Sequence, residues 1–487
     1  MSATASDSRR WKALILLCAA QFVVVLDASI VNVALPSIGR SLHFSEENLQ
    51  WVVNAYVLVF GGFLLLGGRM ADLLGRRRVF MGGLVLFAVA SLAGGLATSE
   101  GFLIGARAVQ GLGGAILSPA ALSIVTTTFK EGSERNKALG IWGAVAGSGG
   151  AVGVLLGGVL TDSIGWEWVF FVNVPIALGA ALLAPRLIDE SRTEAEVRRF
   201  DAAGALTVTA GLSLLVYTMV DATNVGWGST QTIALLAVSV ALLAAFVIIE
   251  LRSAAPLVPF SIFRSRSLLG ANVSGLLIGA SLFSMFFFVS LYMQQVLSYS
   301  PLDSGVKYLP LALTIIVSAG VASQLVERFG FKPILVFGMA LVAVGLLMFS
   351  GVSVDGTYGG DILWPSIVAA AGLGFSFVPV TIAAVSGVRD DDAGLASGLI
   401  NTSQQIGGAL GLAVLSTISI SRTKDVLAAA HGAKSAVPGA LTEGFQSAFT
   451  AGAGFAIIGV LVGLLLVKGR PQAERVEGEG EAAPEPA

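Results

Sequence analysis

Fourteen apolar runs, each long enough to cross a bilayer, succeed one another through this 487-residue chain and leave it almost no other way to fold. They lie near 13–35, 50–68, 79–97, 102–129, 138–161, 168–187, 202–220, 231–250, 268–297, 305–326, 333–350, 362–386, 395–420 and 446–467. A hydrocarbon core of ~30 Å needs about 20 residues at ~1.5 Å each. Charged residues make up 12% of the chain, against roughly 25% in a soluble domain. The expected class is an all-α integral membrane protein. The first run lacks a small-residue cleavage site and is read as a retained helix rather than a signal peptide.

An even number of spans places both termini on one side, and the basic residues say which. Every second connection is basic, and that side carries 23 of the 29 Lys and Arg residues, including Arg9, Arg10 and Lys12 before the first run. Lys and Arg mark the cytoplasmic side. Of the five basic residues in the opposite connections, three fall in 421–445: Arg422, Lys424 and Lys434. Tryptophans 11, 51, 166, 168, 227 and 364 stand at run ends, as an interfacial belt requires.

The most informative connection is Gly67 to Phe80, GGRMADLLGRRRVF, where one carboxylate and four arginines separate two spans. Taken alone, the arginines need only set topology. Ser323 to Leu335 repeats the pattern in register, however, laying Glu327 on Asp72, Gly330 on Gly75 and Lys332 on Arg77. Such internal repeats characterise transporters built from duplicated halves. The copies follow runs 2 and 10, eight helices apart where a six-plus-six duplication gives six, so two helices are inserted. Runs 7 and 8 are the expected insert. The chain then divides into a six-helix bundle over 13–187, an inserted pair over 202–250 and a second six-helix bundle over 268–467. The segment 469–487, rich in Glu, Pro and Gly, is expected to be disordered.

Inside the spans, Asp27 stands in VVVLDASIVNVALP and Arg107 in LIGARAVQGLGGAILSPA. A carboxyl group near mid-bilayer costs ~2.5–3.5 kcal/mol on insertion scales, so it needs a reason to be there. Two are available: a static ion pair, or a group that takes and releases a proton during transport. Counted from the run ends, both residues lie on the order of 10 Å below the same surface, so they can meet. Asn32, Asn54, Gln110, Gln294, Gln295, Asn401, Gln404 and Gln405 are further polar groups in apolar surroundings, either cavity linings or interhelical hydrogen bonds. Gly143, Gly147, Gly150, Gly157 and Gly158 share one arc of run 5, a stripe that lets helices approach closely. Cys18 is the only cysteine and excludes an intrachain disulfide framework. His43 and His431 are isolated. No nucleotide-binding, nucleophile-elbow or zinc-protease motif occurs, so neither ATP hydrolysis nor a cofactor is expected. No basic aromatic patch suggests nucleic acid.

Gly68, Asp72, Gly75, Arg76, Arg77 and Arg78 resemble the conserved loop between helices 2 and 3 of the major facilitator superfamily. LDASIVNVALP (Leu26 to Pro36), RAVQGLGGA (Arg107 to Ala115) and GLASGLINTSQQIGGALG (Gly394 to Gly411) resemble segments of its fourteen-helix drug:proton antiporter family, the EmrB/QacA type. The resemblance covers nearly the whole chain. It implies two six-helix bundles about a central cavity, with alternating access and two extra helices beside them. It also implies proton coupling by Asp27 and Arg107, and gating by the loop Gly68 to Arg78. The family's helix 5 motif G-P-x-x-G-G is here Gly153, Val154, Leu155, Leu156, Gly157, Gly158, with valine for proline. That loses a kinking element and weakens the case for antiport over other coupling.

The expectation is a plasma-membrane exporter of amphiphilic small molecules such as drugs or antibiotics, driven by the proton gradient and functional as a monomer. Its partners are a small-molecule substrate, protons and the lipid bilayer. A uniporter or symporter of a small metabolite is the alternative, and a sensor or enzyme that reuses the fold finds no catalytic constellation to support it.

Overall fold

The computed structural model describes residues 2–129, 133–191, 201–253, 256–385, 393–431 and 433–467. The segment 469–487 and the basic residues Lys130, Arg192, Arg198, Arg199 and Arg389 lie outside them.

The described residues are helical, with no strand among them. Fourteen long helices correspond to the fourteen runs: α1 (Ser2–Leu42), α2 (Trp51–Leu74), α3 (Arg76–Gly95), α4 (Glu100–Thr128), α5 (Ser133–Ser163), α6 (Asn173–Leu187), α7 (Ala202–Val225), α8 (Thr230–Arg252), α9 (Arg266–Leu291), α10 (Leu309–Phe329), α11 (Phe331–Phe349), α12 (Trp364–Val385), α13 (Ala393–Ala429) and α14 (Val437–Leu465). Among the described residues, thirteen stretches are long and apolar enough to cross a membrane. The exception is α5, long enough at 31 residues but with its described apolar part confined to Val152–Ser163. Helices are the natural solution because each satisfies its own backbone polar groups, which lipid cannot do.

The helix ends are written in local chemistry. Ser99, Ser229, Ser265 and Ser300 each accept a hydrogen bond from a backbone N–H of the helix that follows. Gly75 ends α2 and starts α3 with φ of 112°; Gly330 ends α10 and starts α11 with φ of 80°. Only glycine adopts such angles at low cost. The two glycines aligned by the sequence repeat thus make the same one-residue hinge in both halves.

Helix α4 packs between α2 and α3, α1 against α5, α9 against α13, and α12 between α10 and α11. Helix α7 packs on α8 and also touches α2 and α13, helices of opposite halves. Helix α8 leans on α7 alone among the stronger contacts, with only 11% of its span buried. Its outward Val238, Val240 and Ile248 are exposed, as lipid-facing side chains must be.

At the end away from the basic loops, called here the far end, the halves are in contact. There Ser290 Oγ of α9 donates to the Asn32 carbonyl of α1 at 2.8 Å, and Gln294 Nε2 donates to the Val33 carbonyl at 2.8 Å. A Cβ on Gly158 of α5 would lie 2.6 Å from the Pro301 carbonyl oxygen, and one on Gly305 would lie 2.9 Å from that of Val154. The short helix Pro301–Lys307 therefore lies directly on α5.

Candidate functional site

Three glycines of RAVQGLGGA decide where Arg107 can go. A Cβ on Gly111 would meet the Tyr56 carbonyl of α2, one on Gly113 would lie 2.7 Å from the Phe87 amide of α3, and one on Gly114 would touch the Phe60 ring. Small residues let backbones close up where no water competes for the space. Helix α4 is thereby pressed into the groove of α2 and α3, and its arginine is carried to α1.

Asp27 and Arg107 are both buried, and Arg107 Nη1 donates to Asp27 Oδ2 at 2.6 Å. The pair does not stand alone. Gln110, one turn along α4, donates from Nε2 to Asp27 Oδ1 at 2.8 Å and accepts from Arg107 Nη1 at 2.6 Å. Asn173 at the start of α6 donates to the same Oδ1 at 2.9 Å. Ser91 of α3 accepts from both amides, at 3.2 and 3.1 Å, and donates to the Phe170 carbonyl at 2.8 Å. Arg107 Nε donates to the Val52 carbonyl at 2.9 Å, and its guanidinium carbon lies 4.3 Å from the centre of the Tyr56 ring.

Asp27 thus receives three donors on two oxygens. A carboxylate so placed is fully solvated by protein, which is how a buried charge is tolerated. Oδ2 receives Arg107 Nη1, while Oδ1 receives both Gln110 and Asn173. The guanidinium is also held by Gln110, the Val52 carbonyl and the Tyr56 face. Tyr56 Oη and Asn173 Oδ1 are buried without a hydrogen-bond partner, which leaves the network spare capacity for rearrangement.

The other polar candidates do not join this cluster. Asn32 Nδ2 donates to the Ala28 carbonyl of its own helix, and Asn54 is buried with a long 3.4 Å bond from Nδ2 to Gln50. Gln294, in the turn Tyr292–Val296 that follows α9, donates to α1, as above. Gln295 lines a narrow cavity with Leu49, Phe287, Ser416 and Phe445. Asn401 is exposed on α13. The glycines of the α5 stripe and motif divide: Gly153 and Gly157 face α1, where a Cβ would meet Ser29 and the Ile30 carbonyl, whereas Gly158 faces Pro301 and Gly150 faces open space. The surroundings of Gly143 and Gly147 fall outside the described residues.

In the basic loop, Arg77 and Arg78 both point to Glu190 at the end of α6, at 3.8 and 3.6 Å. The Arg77 amide donates to Glu190 Oε1 at 3.1 Å, its Nη1 to the Ile188 carbonyl at 3.1 Å, and the Arg76 amide to the Ser191 carbonyl at 2.9 Å. A Cβ on Gly75 would collide with Glu190, and Gly68 packs beside Pro119. The side chain of Asp72 falls outside the described residues. Glu190, Asn173 and Ser91 are functional candidates that the sequence reading passes over. The signals were there: a carboxylate beside a counted basic connection, and two polar residues in apolar runs.

Comparison with known proteins agrees with this architecture. The family model of the Major Facilitator Superfamily matches residues 17–412. The chain is 39% identical to the puromycin resistance protein pur8 of Streptomyces alboniger over 98% of its own length and 95% of that protein's. It is 44% identical to the cephamycin export protein CmcT of Amycolatopsis lactamdurans, covering 86% of this chain and 87% of that one. Among solved structures, a bacterial homologue of the human lysosomal transporter Spinster, inward-facing and unoccupied, superposes with a TM-score of 0.68 over 94% of this chain and 97% of its own, at 16% identity.

Proposed function

Because the chain belongs to the major facilitator superfamily and is a multi-span membrane transporter rather than an enzyme, we propose that it exports antibiotic-like amphiphilic small molecules across the plasma membrane in exchange for protons. The observation that carries the coupling is the buried Asp27 with its three donors, one of them the Arg107 guanidinium. In this reading a proton arriving at Asp27 displaces Arg107, cargo leaves, and release of the proton restores the pair. Each ligand acts by binding the two states of the transporter differently. Helices α1–α6 and α9–α14 form the two moving bundles, with α7 and α8 as the inserted pair. The basic end faces the cytoplasm, and both termini lie there. The fourteen-helix drug:proton antiporter branch remains the best fit within the superfamily.

Everted membrane vesicles test the direction and the energy source together. Puromycin and a cephamycin are the first cargoes to try, since relatives are named for them. Accumulation inside vesicles that stops when the pH gradient is collapsed supports exchange. Uptake into intact cells that acidifies them supports the symport alternative and overturns the proposal. Orientation is tested in a Cys18→Ser background with an impermeant thiol reagent and a cysteine at exposed Lys434. Labelling from outside intact cells is expected; labelling from the cytoplasmic side alone overturns the assigned sides.

A further inference from the structure

A second pair of carboxyl groups is buried far from Asp27, where the hairpin α7–α8 joins the segment leading to α9. Asp201 and Glu250 are 6% and 4% exposed. Asp201 Oδ1 caps α7, accepting from the Gly204 amide at 2.7 Å, and Glu250 Oε2 accepts from the Val258 amide at 3.0 Å. The remaining oxygens, Asp201 Oδ2 and Glu250 Oε1, are buried without any hydrogen-bond partner. Gly204 is what lets the two groups share this space: a Cβ there would lie 2.8 Å from Glu250 Oε1 and 2.9 Å from Asp201 Oδ1.

Among the described residues no cation answers them. The basic residues on the packed elements, Arg69 of α2 and Arg252 of α8, are exposed, and the segment 256–258 carries no charge. Among the described residues neither carboxylate makes an ion pair. Two buried like charges without a counterion cannot both persist, since each raises the cost of the other. We propose that Asp201 and Glu250 hold one proton between them, forming a proton-binding site separate from Asp27.

The helix ends decide which group is the acid. Asp201 sits at the N-terminus of α7, where a negative charge is favoured; Glu250 sits in the last turn of α8, where it is disfavoured. The proton is therefore placed on Glu250 Oε1. Around the pair, Leu66 of α2, Ala205 of α7 and Leu257 form a small core with Phe63, Met70 and Val258. The proton therefore holds three things in one place: the hairpin, the basic end of α2 that leads into the arginine loop, and the chain entering α9. Its loss puts two charges into that apolar junction and loosens it.

The test uses the purified full chain in a Asp27→Asn background, so that Asp27 contributes no signal. Infrared difference spectroscopy at neutral pH is expected to show one protonated carboxyl C=O stretch that Glu250→Gln abolishes. Absence of such a band, or its survival in Glu250→Gln, overturns the proposal. The folded state holds a proton that the unfolded chain releases, so stability is fully present at low pH and is lost as pH rises through the folded-state titration. Thermal stability is thus expected to fall with rising pH in the parent but not in Glu250→Gln. Asp201→Asn, which keeps the helix cap, is expected to flatten the same dependence, and a profile parallel to the parent overturns the pairing. Stabilisation of the parent by Na+, K+ or Mg2+ that disappears in Glu250→Gln assigns a metal cation instead, and equally overturns it.

Discussion

Asn173, at the first position of α6, donates its amide to Asp27 Oδ1 at 2.9 Å and so ties α6 to α1 through the charged centre. Hydrogen bonds to charged groups contribute about 1.5–3 kcal/mol. Asn173→Ala is expected to lower stability in detergent by about that amount, and Asn173→Asp by more, because it sets a second carboxylate against Asp27. A melting series on the purified variants checks the order; equal stability of all three would remove Asn173 from the network.

Asp27→Asn keeps the size of the side chain but cannot take up and release a proton. The variant is expected to lose gradient-driven efflux, retain cargo binding and lose the pH dependence of that binding. Uphill transport at the parental rate, with the same response to external pH, would leave Asp27 only a partner in a static pair.

Arg107→Met strands a buried carboxylate, a change worth about 3–5 kcal/mol. Adding Asp27→Asn removes the stranded charge, so the double variant is expected to be more stable than Arg107→Met alone. Strictly additive losses in a double-mutant cycle would contradict the 2.6 Å contact.

The basic loop is expected to govern turnover rather than folding. Glu190→Gln releases the contacts of Arg77 and Arg78 at 3.8 and 3.6 Å. It and Asp72→Asn should reach the membrane in normal amounts and transport slowly. Transport measured per molecule in the membrane decides; parallel loss of protein and activity makes the loop structural.

Gly158→Val places a branched side chain against the Pro301 carbonyl, where even one carbon would lie at 2.6 Å. The far ends of α5 and Pro301–Lys307 are expected to be wedged apart, with transport lost and a cysteine on that face labelled faster. Normal transport would mean the seam yields freely.

How much of this was legible in the sequence depended on contrast. Asp27 and Arg107 stood out because a lone charge in an apolar run is expensive, and the structure brings them together. Gln110 is one polar residue among eight, and nothing in the sequence distinguishes it from Asn401, which is exposed. Asn173 does not stand out because it lies near the start of a run, two residues before a proline; behind the extra turn Trp168–Phe171 it is fully buried. Glu190 does not stand out because its connection reads as one of the basic ones. Asp201 and Glu250 flank apolar runs and look like solvated ends, and only packing against α2 reveals them as buried. The fourteen runs match fourteen helices, but the short turns that reorient them, such as Pro301–Lys307 ahead of α10, leave no mark in hydrophobicity.

Helix α7 lies across the line where α2 meets α13, with Thr417 Oγ1 donating to the Met219 carbonyl at 3.2 Å and Lys424 reaching Asn224 at 2.7 Å. Among the described residues no comparable helix covers the corresponding line on the other flank, where α5 meets Pro301–Lys307 and α10. The molecule is therefore lopsided toward its lipid. An amphiphile approaching within the membrane meets the α7–α8 hairpin on one flank and no such cover on the other.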